Sequence, residues 1–151
     1  MIETELQLPD APAIPGLRFR TFEPGRDYPA LVELIRSAHV EDRIDYIPTV
    51  EGLRVDFENT AEFDPRRDVL LAEFDGIAVA ATEVDVRTRD GIGVHHVEGW
   101  VDPTWRRRGL GRALLHWTER RALEVARVDG RRGERVMSAW PDAMQAGAVA
   151  L

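Results

Sequence analysis

Apolar positions in this chain switch between the two-residue period of strands and the 3.6-residue period of helices, in an order that sketches a mixed α/β domain. Leu17, Phe19 and Thr21 alternate with Arg18 and Arg20, which predicts a short strand with one buried face. Leu31, Leu34, Ile35 and Ala38 then fall at i, i+3, i+4 and i+7 behind Asp27, a residue suited to capping a helix. A second helix is expected over part of Val50 to Ala61. Val69 to Phe74 and Ile77 to Val86 read as strands, and Asp75-Gly76 between them is the two-residue signal of a tight hairpin. A further strand should run from about Val94 to Val101 and stop before Pro103, which cannot donate to a ladder. Leu110, Ala113, Leu114 and Trp117 restore the helical period, so a long helix is expected from near Gly109 towards Arg127. Beyond the glycines at 130 and 133, Val136 to Trp140 reads as a strand, and Asp142 suits the cap of a last helix through Met144, Ala148 and Leu151. Residues 1 to 16, broken by Pro9, Pro12, Pro15 and Gly16, are expected to form an extended leader ahead of one domain at 17 to 151.

Composition narrows the function classes. The 151 residues suffice for one domain with a proper core, and 44% hydrophobic with 31% charged residues is ordinary for a globular chain. A net charge of -7 argues against a general nucleic-acid binder, which needs an excess of clustered positive charge. Every basic side chain other than histidine is an arginine. Without cysteine there is no disulfide framework and no thiolate nucleophile or metal ligand. Met1 to Asp10 has neither the basic start nor the apolar run of a signal peptide or membrane span, so the default placement is cytoplasmic, with no membrane partner.

The segment that carries chemistry is Val101-Asp102-Pro103-Thr104-Trp105-Arg106-Arg107-Arg108-Gly109-Leu110-Gly111-Arg112-Ala113-Leu114-Leu115. It joins a predicted strand to the start of an amphipathic helix. Unpaired N–H groups and a partial positive charge gather at a helix N-terminus, and glycines let that backbone approach a diphosphate. An anion site over residues 107 to 112 follows. A P-loop is excluded because the chain has no lysine, and a dinucleotide fingerprint because Leu114 stands near the place of its third glycine. The segment resembles the cofactor motif of the GNAT N-acetyltransferases, Gln/Arg-x-x-Gly-x-Gly/Ala, with Arg106, Gly109 and Gly111 in its fixed places. Gln145 to Leu151 is similar to that family's Asn-x-x-Ala-x-x-Leu helix, with Gln145 in place of the usual Asn.

The resemblance implies a mixed, mostly antiparallel sheet flanked by helices, an α/β (α+β) fold. It also implies acetyl-CoA as acyl donor, its diphosphate on the amides from Arg107 through Arg108, Gly109, Leu110 and Gly111 to Arg112. The pantetheine arm would lie along Gly99, Trp100 and Val101 as an added strand. An amine acceptor would attack the thioester directly, so no metal and no protein nucleophile are needed, only positioning and a proton acceptor. Glu98 is the candidate base, although a surface carboxylate on a strand is the bland alternative. In some relatives a Glu on the next strand serves, but the register set by Gln145 puts Trp140 there. His95 and His96 are adjacent on a strand and face opposite sides, so they cannot be a simple metal pair. His39 and His116 read as structural. Arg112, His116 and Arg120 share one helix face suited to a further phosphate, or simply to water.

The leading expectation is an enzyme transferring an acetyl group from acetyl-CoA to a primary amine of a small molecule or peptide. A non-catalytic acyl-CoA sensor or partner domain is the alternative. The family continues past its last helix into two more strands, so the chain is expected to be the front part of a tandem GNAT protein, or to be completed by a second copy as a homodimer.

Overall fold

The computed structural model of the chain describes residues 5–90, 92–128 and 135–139. Six strands form one sheet in chain order: β1 (Glu5–Leu6), β2 (Leu17–Thr21), β3 (Val69–Phe74), β4 (Ile77–Arg89), β5 (Ile92–Val101) and β6 (Arg135–Ala139). Neighbours are antiparallel except β5 and β6, which run parallel. Helices α1 (Tyr28–Asp42), α2 (Val50–Asn59) and α3 (Pro65–Asp68) fall between β2 and β3, and α4 (Leu110–Val128) between β5 and β6. The mixed sheet flanked by helices is the fold expected from the sequence.

Strand β3 explains why the sheet is the centre of the molecule. Val69 and Leu71 join the cluster under α1 and α2 with Phe22, Leu31, Phe57, Ala81 and Trp100. Leu70 and Ala72 point the other way, into the cluster under α4 with Phe19, Ala80, Val84, Leu110 and Trp117. All four β3 residues are sealed from solvent, as a strand covered on both faces requires. The stripe Leu31, Leu34, Ile35 and Ala38 is buried as its spacing predicted. The hairpin turn is also as predicted: Asp75 and Gly76 both have positive φ, 49° and 77°, the backbone that a two-residue turn matched to strand twist demands.

Three local features differ from the expectations. Asp27 stands at the N-cap of α1 but makes no capping bond. Its carboxylate accepts from the Arg20 guanidinium at 2.5 and 2.9 Å and from the Glu23 amide at 2.7 Å, because a buried arginine has the stronger claim on a carboxylate. Part of the leader enters the sheet, with Glu5 and Leu6 opposite Arg20 and Phe19 and with Leu6, Leu8 and Ala11 packed on the α4 cluster. The short α3, with Pro65 at its first position and the Asp64 side chain accepting from the Arg66 amide, was not foreseen. Trp140 and the helix expected around Gln145 lie outside the described residues.

Candidate active site

The path from β5 to α4 is held by side chains on both sides. Asp102 ends the strand and turns the chain: one carboxylate oxygen accepts from the Thr104 amide at 2.9 Å and hydroxyl at 2.6 Å, the other from Ser37 of α1 at 2.9 Å. Burial would raise its pKa, but these hydrogen bonds outweigh that and hold it below the usual value. Pro103 to Trp105 form a single 3-10 turn, and Trp105 packs at a tilt against Phe74 with ring centres 4.9 Å apart. The guanidinium of Arg106 is clamped by Asp42 at the end of α1, through bonds of 2.6 and 2.8 Å, and also donates to the Val101 carbonyl at 3.2 Å. Its side chain therefore faces inward and fixes the loop.

Beyond Arg106 the backbone opens to solvent. Arg107 is in the left-handed region at φ 64° and Gly109 follows at φ 90°. The Gly109 carbonyl accepts from Ala113, so the amides of Leu110, Gly111 and Arg112 form the first turn of α4 and have no intrahelical acceptor. Arg107, Arg108, Gly109 and Arg112 are exposed around them. Arg108 lies 4.8 Å above the Trp105 ring. Unpaired amides at a helix start, flanked by exposed arginines, fit an anion such as a diphosphate. The leader borders this cradle: Pro12 sits 3.5 Å from where a Cβ on Gly109 would be, and Asp10 pairs with His116 at 3.1 Å and Arg120 at 3.3 Å on the same helix.

The end of β5 beside this turn is the stretch along which an acyl arm would run. The described pairing of β5 with β6 runs to Val97 and Ala139, and Glu98, Gly99, Trp100 and Val101 follow on β5 beyond the last described β6 partner. Gly99 is exposed, and a Cβ there would meet nothing of the chain closer than 3.5 Å. Thr82 reaches across from β4 to donate to the Glu98 carbonyl at 2.7 Å. Trp100 is buried and donates from Nε1 to Nε2 of His39, whose Nδ1 in turn bonds the Tyr46 carbonyl at 2.5 Å. His39 thus ties the loop after α1 to the sheet.

Glu98 points to the α1 and α2 side of the sheet, as Trp100 does, and is half exposed. Its carboxylate meets Nε2 of His96 at 3.0 Å. His95 is buried on the opposite face. Directly across the ladder from Glu98 stands Glu83 of β4, which the sequence reading missed. Burial first, then the charges of Glu98 and Asp85, push its pKa up to about 8, against weaker opposition from Arg87. Glu83 is partly exposed as a residue, yet its Oε2 is sealed and has no hydrogen-bond partner. No group of three or more His, Asp or Glu among the described residues is arranged to hold a metal ion.

A strand, a tight turn and an amide-led helix in this arrangement agree with what sequence comparison finds. The sequence model of the acetyltransferase (GNAT) family matches residues 28–132. The chain belongs to that family. Over 122 residues it is 37% identical to the mycothiol acetyltransferase of Thermomonospora curvata, covering 77% of this chain and 39% of that protein. The fold of a GCN5-related N-acetyltransferase from Sphaerobacter thermophilus superposes with a TM-score of 0.75 at 24% identity, over 91% of this chain and 42% of that one. The yncA protein of Salmonella typhimurium, solved with its cofactor acetyl-CoA, has the same fold, with a TM-score of 0.67 at 20% identity over 89% of this chain and 75% of that one. The chain thus spans about two fifths of the mycothiol acetyltransferase and of the Sphaerobacter chain. Among its described residues, this GNAT chain has no helix long and apolar enough to cross a membrane.

Proposed function

We propose that this GNAT domain transfers an acetyl group from acetyl-CoA to a primary amine. The observation that carries the reading is the turn from Arg107 to Arg112, where the amides of residues 110 to 112 have no intrahelical acceptor and Arg107, Arg108, Gly109 and Arg112 are exposed. The amides of residues 110 to 112, with Arg107, Arg108 and Arg112, would hold the diphosphate, and the backbone of Gly99 to Val101 would align the pantetheine arm. Acetyl-CoA supplies the activated acyl group. Glu98, whose carboxylate meets His96, would take a proton from the amine beside β5. The inward clamp of Arg106 on Asp42 gives it a supporting role: it fixes the turn on which the amides sit.

The Thermomonospora relative is named a mycothiol acetyltransferase, which makes an acceptor of the mycothiol class one to include in the test. The cytoplasm, where acetyl-CoA is made and used, is the proposed location. The test is release of free CoA from acetyl-CoA in the presence of amino sugars, amino acids, peptides and aminoglycosides. Acceptor-dependent release that falls in Glu98→Gln at constant CoA affinity is expected. A chain that binds acetyl-CoA and acetylates none of these classes would contradict the reading.

A further inference from the structure

The sheet face under α1 and α2 holds more negative charge than a fold needs. Glu83 and Glu98 are paired directly across β4 and β5, where the antiparallel ladder brings Cβ atoms to about 5 Å. Like charges so placed repel, and among the described residues neither carboxylate forms an ion pair with an arginine, Arg87 only weakly opposing the charge at Glu83. Arg87, the cation nearest on β4, pairs with Asp85 at 2.8 and 3.0 Å. Among the described residues the Glu98 carboxylate bonds the His96 ring, and the buried Oε2 of Glu83 has no hydrogen-bond partner. Asp56 from α2 adds its field to Glu83, and Tyr46 from the loop after α1 feels Asp56, Glu98 and Glu83 together. A buried acceptor without a donor costs stability, and that cost is accounted for if a ligand supplies the donor.

We propose that Glu83 and Glu98 together form the binding site for the ammonium form of the acceptor, and that the pair takes up the proton this ammonium must lose before it can attack. The proposal rests on the acetyltransferase reading and names the residues and charge state of its acceptor. A primary ammonium has three donors, enough to meet Glu83 and an oxygen of Glu98 at once when the Glu83 carboxylate turns to bring Oε2 out of its sealed position. Beside such a cation both carboxylates ionise, and one proton then passes from nitrogen to the pair, leaving a neutral amine with its lone pair free. As the C–N bond forms and the C–S bond breaks, the remaining excess proton on nitrogen goes to the departing thiolate. The products are an amide, free CoA and one proton held by the carboxylates, which His96 and the exposed side of Glu98 can return to water. Glu83 then acts as a catalytic residue, and its midpoint near pH 8 suits exchange of a proton with an amine near neutrality.

The test uses the full chain and n-butylammonium as probe, without any acyl donor, so its outcome is independent of whether transfer occurs. The probe stays protonated up to about pH 9, since alkylamines titrate near the lysine value of about 10.4. Ionisation of one group with a midpoint near 8 raises its affinity about tenfold between pH 7 and pH 9 in the wild type. In Glu83→Gln the affinity is lower and flat over that range, and Glu98→Gln weakens binding at every pH. Carbon NMR of the Glu83 carboxyl in the wild type provides the check that needs no variant: added probe lowers its midpoint. Affinity that does not change with pH, a Glu83→Gln profile equal to wild type, or a Glu83 midpoint unmoved by the probe would each overturn the proposal.

Discussion

Replacing Arg106 by methionine keeps most of the aliphatic stem and removes the guanidinium that joins the turn to α1. The pair it breaks is unevenly buried, with 8% of the Asp42 side chain exposed and 32% of the Arg106 side chain. Removing one member of a buried pair costs about 3–5 kcal/mol, whereas an exposed pair contributes about 0.2–1 kcal/mol. Two short charge-assisted bonds with one end in the interior place this pair between those limits, at about 2–3 kcal/mol. For a chain of this size that lowers Tm by roughly 5–10 °C. Urea unfolding of Arg106→Met, Asp42→Asn and the double variant should show a coupling of about 1–2 kcal/mol. Because the guanidinium acts by holding the turn, the two single variants should also lose similar acetyl-CoA affinity. Additive stabilities would refute the clamp. So would an affinity loss in Arg106→Met far beyond that of Asp42→Asn, which would mean that the guanidinium touches the cofactor itself.

Two further charge sites, Asp27 and Glu83, should respond to pH in opposite senses. Burial would raise the pKa of Asp27, but Arg20, the Glu23 amide and Arg26 together hold it below its ordinary value, so its contribution is complete above about pH 4 and is lost as pH falls through the lowered value. Asp27→Asn should therefore cost about 3 kcal/mol at pH 7 in urea unfolding and progressively less in acid. Glu83 has its pKa raised to about 8, so wild-type stability declines as pH climbs from the ordinary carboxylate range to 8 and stays low beyond. Glu83→Gln should then unfold at higher urea than wild type at pH 9, by a few kcal/mol at about 1.4 kcal/mol per pH unit, and match it near pH 4. For the proposed transfer reaction, Glu98→Gln should reduce kcat more than acetyl-CoA affinity, most at low pH, where the acceptor is most fully protonated.

Periodicity and turn chemistry carried the fold because they report the chain's own local demands. Leu31 to Ala38 show one buried stripe, Asp75-Gly76 a turn with two positive φ angles, and Val69 to Ala72 an apolar run whose covered faces the structure confirms. The strand-to-helix turn ahead of α4 was legible for the same reason, since glycines and arginines at such a junction state their spacing directly. What depends on pairing across the sheet was not legible. Glu83 is an ordinary strand carboxylate until the β4–β5 register sets it opposite Glu98. The inward turn of Arg106 likewise requires Asp42, 64 residues earlier, and Asp27 looked like a cap because Arg20 is recognised as its partner only once β2 is packed. Strand β1 carried too short a pattern to register, and it is held chiefly by Leu6, Leu8 and Ala11 on the core.

The central claim is that the amides at the start of α4 bind the diphosphate of acetyl-CoA, and calorimetric titration of acetyl-CoA into wild type and Gly111→Val tests it most directly. Valine is at least as compatible with a helix interior as glycine, so the variant should keep its fold and its cooperative melting. A side chain at Gly111 covers the amides that the diphosphate must reach, so the account predicts measurable binding by the wild type and none by the variant. Equal affinity of the two proteins would contradict it.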